Sequence, residues 1–597
     1  MRGLYGFFLF AAFLIPSIVG LGEATHPPFS RTEIWIPMRD GVKLSANLNR
    51  PSGVGRLPTI LVRTPYGKGT DLHPNFQAFV DRGYNVVIQD VRGRYASEGV
   101  FAPLSQEPSD GDDTIDWIAA QNWSDGKVGM VGGSYLGFVQ WKVAVLNNPH
   151  LLAIFPVVSG DDDYRDRIYS PGGAMKWGHR LEWVAENMAE PGYEPPPFQK
   201  FIWALPPRQA DHLVTGRTAT SLLETAFDHP AYDGFWKSIS TREKLKDVKT
   251  PVFSVGGWYD NYAEGDLDAF STLHKHSAVD RIIIGPWPHN MSQGFTTMDF
   301  GPAGRLPMRK QQMQWFDHWL KDPKTPLDPS PPVKIFVMGI NQWRSENDWP
   351  LERAVPSKFY LGGSGHANSL QGDGELGETH AKLGGEDRFV YDPHNPVPTQ
   401  GGAVCCNPKV FPWGPMDQRT VENRRDVLVY STGRLIEDTE VTGPISLVLF
   451  ASTSAPDTDF TGKLVDVYPD GRAINLTDGS LRARYRNGLD KPKLLKPGET
   501  VKYMMDLGVT SNVFKKGHRI RLEISSSNFP RFDRNPNTGR AIADETQLVK
   551  AQQTVYHSLA RRSYLLLPVI PMSAPEQITR AAPGSRAISK VSGQPLH

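Results

Sequence analysis

The chain has 597 residues, enough for three or four domains at about 150 residues each. Its 39% hydrophobic and 22% charged residues are the balance of a globular protein. The 65 lysines and arginines nearly cancel the 64 aspartates and glutamates, so the charge gives no support for nucleic acid or an anionic membrane surface as a partner.

The N-terminus has the pattern of a secretory signal peptide, residues 1–24. Arg2 precedes an apolar run, Leu4–Val19, that is broken by Pro16 and followed by small residues. The alternative is an uncleaved anchor helix, but the run is shorter than the ~20 residues that span a bilayer. We expect cleavage within Gly20–Ala24, export to the periplasm or medium, and no stable membrane insertion afterwards.

After the signal peptide, short apolar strands alternate with amphipathic helices. A hairpin turns at Asp40-Gly41, a strand follows at Asn85–Gln89, and another precedes a glycine-rich turn at Val128–Val131. This alternation predicts an α/β domain with a mostly parallel sheet, covered on both faces. The first part of that domain is assigned to residues 25–160.

The α/β pattern is interrupted between residues 161 and 248 by helical, tryptophan-rich sequence. It resumes in TPVFSVGGWYD and DRIIIGPWPH and ends near Lys321. The interruption therefore predicts a helical cap inserted over the sheet, with the second part of the α/β domain at 249–321.

The rest of the chain has a different character. Residues 322–332 are a proline-rich linker, and residues 333–571 contain short strands separated by turn residues, typical of a β-sandwich or jelly roll. The polar tail, 572–597, is predicted to be loose. The two cysteines, Cys405 and Cys406, are adjacent, and either a vicinal disulfide or two free buried thiols fits an exported chain.

The stretch VGMVGGSYLG places Ser134 between glycines, after a strand and before a helix. Such a turn can expose a serine hydroxyl above a sheet, although the second glycine comes at +3 rather than the usual +2. The alternative is a glycine-rich turn that binds an anion or nothing, whereas the spacing does not fit a dinucleotide site. We predict that Ser134 is a nucleophile.

A serine nucleophile needs a base and an orienting carboxylate, which in this fold class follow in the order acid, then histidine. Asp260 ends the strand in PVFSVGGWYD, and His289 ends the next in RIIIGPWPH. They are the predicted orienting acid and general base. Glu264, Asp266 and Asp268 are alternative acids, predicted instead to face solvent on the following helix.

The oxyanion formed during acyl transfer needs hydrogen-bond donors. The backbone N–H of Tyr135, directly after the nucleophile, is the expected first donor. The early loop RTPYGK has no glycine run to supply a second amide, so the Tyr66 phenol is the candidate second donor. The alternative is that Tyr66 only packs.

At this point the motifs become specific to one family. RTPYGK, VVIQDVRGRYASEG, VGGSYLGFVQW, GGWYDNY and GPWPH resemble the superfamily of cocaine esterases and X-prolyl dipeptidyl peptidases, as do FVMGINQWR, FYLGGSG and SSSNFPRFDRN near the C-terminus. The resemblance runs from about Thr32 to Pro571 and is strongest to the cocaine-esterase members. It implies an α/β-hydrolase domain with a helical cap and a C-terminal jelly roll, and no metal or organic cofactor. It also implies the triad Ser134, Asp260 and His289, with Tyr66 and Tyr135 as oxyanion donors.

The resemblance also bears on the substrate. Amino-acid ester hydrolases of this family hold an ammonium group with carboxylates two and three residues past the triad acid, where this chain has Tyr262 and Ala263. Asp161–Asp163 could supply only a third acid and are predicted to form a solvated turn. We therefore expect small-molecule esters of uncharged acyl groups, aromatic ones among them. The predicted pocket walls are Trp177 and Trp258, with Tyr259 and Phe411–Trp413.

Other functions remain open. The same triad would serve an amidase or acylase, or an amino-acid ester hydrolase acting on β-lactam side chains, or a peptidase that removes X-Pro dipeptides. An inert hydrolase domain beside a glycan-binding jelly roll is disfavoured by the complete catalytic set. A homodimer is neither favoured nor excluded.

Overall fold

A computed structural model describes residues 28–217, 220–292, 294–295, 297–379, 385–405 and 407–571. The predicted signal peptide, 1–24, and the predicted tail, 572–597, lie outside the described residues. Across the described ranges, no helix is long and apolar enough to cross a membrane. Cys405 is disulfide-bonded, and the chain's other cysteine, Cys406, lies outside the described residues.

The N-terminal half is built on a ten-stranded sheet with the order β1-β2-β4-β3-β5-β6-β7-β8-β9-β10. β1 and β2 form the predicted antiparallel hairpin, and the seven strands from β4 to β9 in this order are parallel. The strands are β1 (Phe29–Pro37), β2 (Lys43–Pro51), β3 (Leu57–Thr64), β4 (Asn85–Asp90), β5 (Ser124–Gly133), β6 (Leu151–Val157), β7 (Phe253–Tyr259), β8 (Arg281–Pro288), β9 (Val333–Val337) and β10 (Gln342–Glu346).

Helices cover this sheet and form the cap. They are α1 (Pro74–Asp81), α2 (Glu107–Ala119), α3 (Tyr135–Ala144), α4 (Trp177–Met188), α5 (Phe198–Phe201), α6 (Gln209–Thr215), α7 (Ser221–Asp228), α8 (Gly234–Ile239), α9 (Ala263–His274) and α10 (Met308–Phe316). Helices α4 to α8 all lie between β6 and β7, where the sequence predicts a cap. A π-helical segment, Asp163–Ile168, leads from the sheet into the cap.

The predicted start of the β-rich domain needs a correction. β9 was assigned to that domain, but it lies parallel to β8 with Val333 opposite Ile282, and β10 pairs with β9. The strand sequence VKIFV is almost entirely buried, as expected for a strand inside a parallel sheet. The α/β sheet therefore extends to Glu346, past the proline-rich linker.

The C-terminal domain contains eleven strands that pair antiparallel, except for β12 with β14. Its core is continuous with the α/β domain, since Trp258 and Phe336 belong to the same apolar cluster as Leu447 and Leu522. Its elements are β11 (Val355–Gly362), β12 (Glu375–Gly377), β13 (Glu386–Tyr391), α11 (Arg419–Glu422), β14 (Leu428–Ser431), β15 (Thr439–Thr453), β16 (Asp459–Val467), β17 (Ala473–Arg482), β18 (Val501–Phe514), β19 (Arg519–Ser525), β20 (Ala551–Tyr556) and β21 (Tyr564–Ile570).

Candidate active site

Ser134 stands in a sharp turn between β5 and α3. Its backbone has φ 55° and ψ −121°, a conformation that costs a non-glycine residue free energy. The flanking glycines allow the turn. Gly132 has φ 145°, and a Cβ there would lie 2.5 Å from Cβ of Leu136, while a Cβ on Gly137 would lie 2.7 Å from Cβ of Ser159. The Ser134 side chain makes no helix-capping hydrogen bond, so its hydroxyl is left for other partners.

The structure brings Ser134, His289 and Asp260 together from the ends of three parallel strands. Nε2 of His289 lies 2.9 Å from Oγ of Ser134, and Nδ1 lies 2.7 Å from Oδ1 of Asp260. All three residues are buried. A proton on Nδ1 donated to Asp260 leaves Nε2 free to accept the serine proton, which is the tautomer that a general base requires.

Tyr135 presents its backbone, not its side chain, to Ser134. Its hydroxyl donates to Oε1 of Glu107 at 2.6 Å, and Glu107 is paired with Arg63 at 2.9 Å, both side chains having no exposed surface. Because Tyr135 is the first residue of α3, its N–H has no acceptor within the helix. The buried pair therefore fixes this amide beside the serine.

The Tyr66 hydroxyl lies within hydrogen-bonding reach of the Ser134 side chain. It accepts a hydrogen bond from Nε1 of Trp183 at 3.0 Å, and a phenol that accepts one hydrogen bond can still donate its own proton. Burial raises the pKa of the Tyr66 hydroxyl to about 12, against smaller opposing effects from Trp183, Arg167 and the Ser134 side chain. Tyr66 therefore stays a neutral donor at physiological pH.

Asp161–Asp163 are not the solvated turn that the sequence predicts, because all three are fully buried. Asp161 pairs with Arg242 at 2.5 Å, and Asp163 pairs with Lys142. Oδ1 of Asp162 accepts the backbone N–H groups of Tyr164 and Arg165 at 2.8 and 2.9 Å. Basic groups and backbone amides from distant positions make this burial tolerable.

The prediction for the acids on α9 is partly wrong. Asp266 is buried and its Oδ1 accepts the Gly160 N–H at 3.0 Å, and burial raises the pKas of Asp266 and Glu264 well above their ordinary values. Asp268 is exposed, as predicted. Across the described ranges, no group of three or more histidine, cysteine, aspartate or glutamate side chains is placed to hold a metal ion.

The two tryptophans predicted to line the pocket direct their indole N–H groups away from the triad. The Trp258 indole donates to the Phe336 carbonyl of β9 at 2.7 Å and packs against Trp349, within the apolar cluster shared with the C-terminal domain. The Trp177 indole donates to the Ile202 carbonyl at 2.8 Å, inside the cap. Alternation along a strand or helix predicts burial of such side chains but not which neighbour they meet.

Two further predicted wall segments also make contacts away from the triad. The Tyr259 hydroxyl donates to the Asn475 carbonyl at 3.2 Å in the C-terminal domain. The Phe411 ring packs against Phe198 of the cap, with 5.8 Å between the ring centroids.

Three residues that the sequence reasoning missed surround the candidate site. Trp183 holds Tyr66 and stacks on the ring of Tyr135, with centroids 6.0 Å apart. Arg167 and Arg180, also from the cap, are buried close to the same rings. The one available signal was the presence of three arginines, Arg167 and Arg180 among them, within DYRDRIYSPGGAMKWGHRLEW, a segment otherwise rich in buried aromatic residues.

Two family profiles together match most of the chain. A family profile described as X-Pro dipeptidyl-peptidase (S15 family) matches residues 40–291, and one described as X-Pro dipeptidyl-peptidase C-terminal non-catalytic domain matches residues 326–566. The cocaine esterase of Rhodococcus sp. (strain MB1 Bresler) is 40% identical over 566 residues, which covers 90% of this chain and 98% of the esterase.

Two solved structures superpose on nearly the whole chain. An α-amino acid ester hydrolase has a TM-score of 0.80 at 28% identity, covering 93% of this chain and 99% of its own. An aminopeptidase from the marine sediment archaeon Thaumarchaeota archaeon has a TM-score of 0.81 at 28% identity, covering 94% of this chain and 100% of its own.

Proposed function

The chain belongs to the family of serine hydrolases that contains the cocaine esterases and X-Pro dipeptidyl peptidases, and we propose that it hydrolyses carboxylic esters through a covalent acyl-enzyme on Ser134. The observation that carries this proposal is the continuous hydrogen-bonded chain from Oγ of Ser134 through His289 to Asp260, with links of 2.9 and 2.7 Å.

In the first half-reaction, Oγ of Ser134 attacks the ester carbonyl while Nε2 of His289 takes the serine proton. Asp260 orients the imidazole and stabilises its positive charge. The Tyr66 hydroxyl and the Tyr135 N–H donate to the oxyanion of the tetrahedral intermediate. The ester C–O bond then breaks, and His289 gives its proton to the departing alcohol.

In the second half-reaction, water attacks the acyl-enzyme with His289 again as the base. The serine ester bond breaks, the proton returns to Ser134, and the acid is released. No step requires a metal or an organic cofactor.

Two features support an ester whose acyl group lacks an ammonium. Tyr262 stands where the family resemblance implies an ammonium-binding carboxylate, and its ring packs against His289 with centroids 5.5 Å apart. The buried acids Asp161 and Asp163 are engaged by Arg242 and Lys142. The ring of Tyr66 and the ring of Trp183, which donates to the Tyr66 hydroxyl, favour a flat, aromatic acyl group.

Export through the predicted signal peptide is part of the proposal, supported by the N-terminal sequence pattern alone.

The test compares four chromogenic substrates: 4-nitrophenyl butyrate, 4-nitrophenyl benzoate, an aminoacyl 4-nitrophenyl ester and an X-Pro 4-nitroanilide. We expect the butyrate and benzoate to be the best substrates and Ser134→Ala to lower kcat by roughly 10⁶. Ser238→Ala, which changes an exposed cap serine, is the matched control and should behave as the parent protein.

The other outcomes are equally informative. Retained ester hydrolysis in Ser134→Ala would remove the proposed mechanism. Dominant cleavage of the anilide would indicate a peptidase or amidase, and dominant cleavage of the aminoacyl ester would indicate an ammonium site that Tyr262 does not block.

A further inference from the structure

Two arginines of the cap lie beside the candidate catalytic site with little exposed surface. Arg167 is 6% exposed and Arg180 is 3% exposed. Arg167 is the next-to-last residue of the π-helical segment at the cap entrance, and Arg180 lies in the first turn of α4. Buried guanidinium groups are expected to be paired with carboxylates, because an unpaired buried charge is costly.

Neither arginine has such a partner among the described residues. Nη2 of Arg180 donates to the backbone carbonyl of Arg167 at 2.6 Å. Nε of Arg180 and Nη1 of Arg167 are buried and have no hydrogen-bond acceptor. By contrast, Arg482, which is equally buried, pairs with Asp459 at 3.0 Å and with Asp533 at 2.8 Å.

Each guanidinium group lies against an aromatic ring that is linked to a predicted oxyanion donor. Cζ of Arg167 lies 5.6 Å from the ring centroid of Tyr135, whose N–H adjoins Ser134. Cζ of Arg180 lies 5.6 Å from the ring of Trp183, which holds the Tyr66 hydroxyl. Burial lowers the pKa of Arg180. The side chain of Tyr262, which packs on His289, opposes this most, through its charge and through a hydrogen bond with Arg180.

The neighbouring groups do not neutralise this charge. Burial raises the pKa of Asp163, and Lys142, followed by Arg167, opposes that rise, but the ion pair of Asp163 is with Lys142. Burial and the charges of Arg180 and Lys176 hold the pKa of His179 well below its ordinary value, so His179 is neutral.

One contact offers a purely structural role for Arg167. Its Cζ lies 3.9 Å above the ring of Phe138, a cation–π contact. Such a contact stabilises the cation but leaves the N–H groups without acceptors.

We propose that the substrate carries a carboxylate, which Arg167 and Arg180 bind while the ester carbonyl lies at Ser134. This inference rests on the proposed ester hydrolysis and changes the sequence-based expectation of an uncharged acyl group. Paired N–H donors on guanidinium groups match carboxylate oxygens in geometry and charge. The carboxylate takes no part in bond breaking: Ser134 displaces the alcohol, water then cleaves the acyl-enzyme, and the bound carboxylate leaves unchanged on the product that carries it.

The first experiment uses the parent protein and pairs of esters that differ in charge but little in shape. On the acyl side, 4-nitrophenyl hydrogen glutarate is compared with 4-nitrophenyl pentanoate. On the alcohol side, 4-carboxyphenyl butyrate is compared with 4-carbamoylphenyl butyrate. We expect kcat/KM for the anionic ester to exceed that of its neutral partner by about 30-fold or more in one of the two pairs, as for a buried charged contact. The pair that responds locates the carboxylate.

The second experiment changes the arginines one at a time. Arg167→Gln and Arg180→Gln should each reduce the anionic-to-neutral ratio of kcat/KM at least tenfold, mainly through KM for the anionic ester. Arg165→Gln is the matched control, because Arg165 lies in the same π-helical segment but faces Asp162 and the ring of Tyr232. Its ratio should equal that of the parent protein.

The outcomes separate the two proposals. If neutral esters are hydrolysed and no anionic partner is preferred, the carboxylate proposal is wrong while the ester hydrolase proposal stands. A preference that survives both arginine substitutions would also overturn it. If no ester of either kind is hydrolysed in a Ser134-dependent way, the proposed function itself fails.

Discussion

The α/β domain and the cap differ in whether their buried arginines have carboxylate partners. Next to Tyr135, Arg63 has no exposed surface, donates to Gln89 at 2.8 Å and forms an ion pair with Glu107 at 2.9 Å. In the cap, Arg167 and Arg180 are almost as deeply buried, yet neither has a carboxylate partner among the described residues.

This contrast indicates what each region contributes. A buried arginine that is paired with a carboxylate holds its neighbours in one position, and here the pair of Arg63 and Glu107 also holds Tyr135, whose amide lies beside Ser134. Buried guanidinium groups without a carboxylate partner lower stability. We expect such groups in a site that binds an anionic ligand. Four predictions test this comparison, from the largest expected effect to the smallest.

In the α/β domain, Asp260→Asn should have the largest effect on kcat. An amide in place of the carboxylate favours the wrong histidine tautomer, so kcat should fall by roughly 10⁴ with the fold intact. Steady-state kinetics on 4-nitrophenyl butyrate measure this loss. Asp268→Asn, at an exposed acid on the following helix, is the control, and an equal loss there would contradict the assignment of Asp260.

The comparison itself is tested by removing one arginine from each region. Arg63→Met leaves Glu107 buried without its partner and should lower the free energy of unfolding by about 3–5 kcal/mol. Arg167→Met removes an unpaired charge and should change it by only about 1 kcal/mol in either direction, since the lost cation–π contact and the relieved burial oppose each other. Chemical unfolding followed by tryptophan fluorescence measures both, and equal losses would mean that Arg167 has an equivalent structural role.

Tyr66→Phe tests the donor that lies between the two regions. Removing one oxyanion donor should lower kcat by roughly 10²–10³ with a smaller change in KM. Tyr95→Phe, at an exposed tyrosine, is the control. A Tyr66→Phe variant with unchanged kcat would show that Tyr66 only packs, as the alternative interpretation of the sequence holds.

The pH dependence of kcat/KM should lack the fall near pH 10 that a tyrosine donor with an ordinary pKa would cause. Because the pKa of Tyr66 is raised from 10.0 to about 12, its donor proton is retained above its usual range. For a neutral ester, kcat/KM should stay level between about pH 9 and about pH 10.5, with circular dichroism confirming that the protein remains folded. A fall centred near pH 10 that is absent in Tyr66→Phe would contradict this.

The sequence alone predicted the α/β order, the cap between β6 and β7, and the side chains that meet at Ser134. These features are local. Asp260 and His289 each end a short apolar strand, and parallel strands bring their carboxyl ends to one edge of the sheet. The glycines around Ser134 indicate the turn because few other residues can adopt it.

Tertiary structure alone decided which buried groups meet. No local pattern shows that Val333–Val337 adds to the α/β sheet, that the Trp258 indole donates to the Phe336 carbonyl, or that Asp163 is paired while Arg167 is not. Periodicity reports that a side chain is buried, whereas its partner comes from a distant part of the chain. The charge of the pocket depends on those partners, so the substrate class follows from the folded protein and not from its motifs.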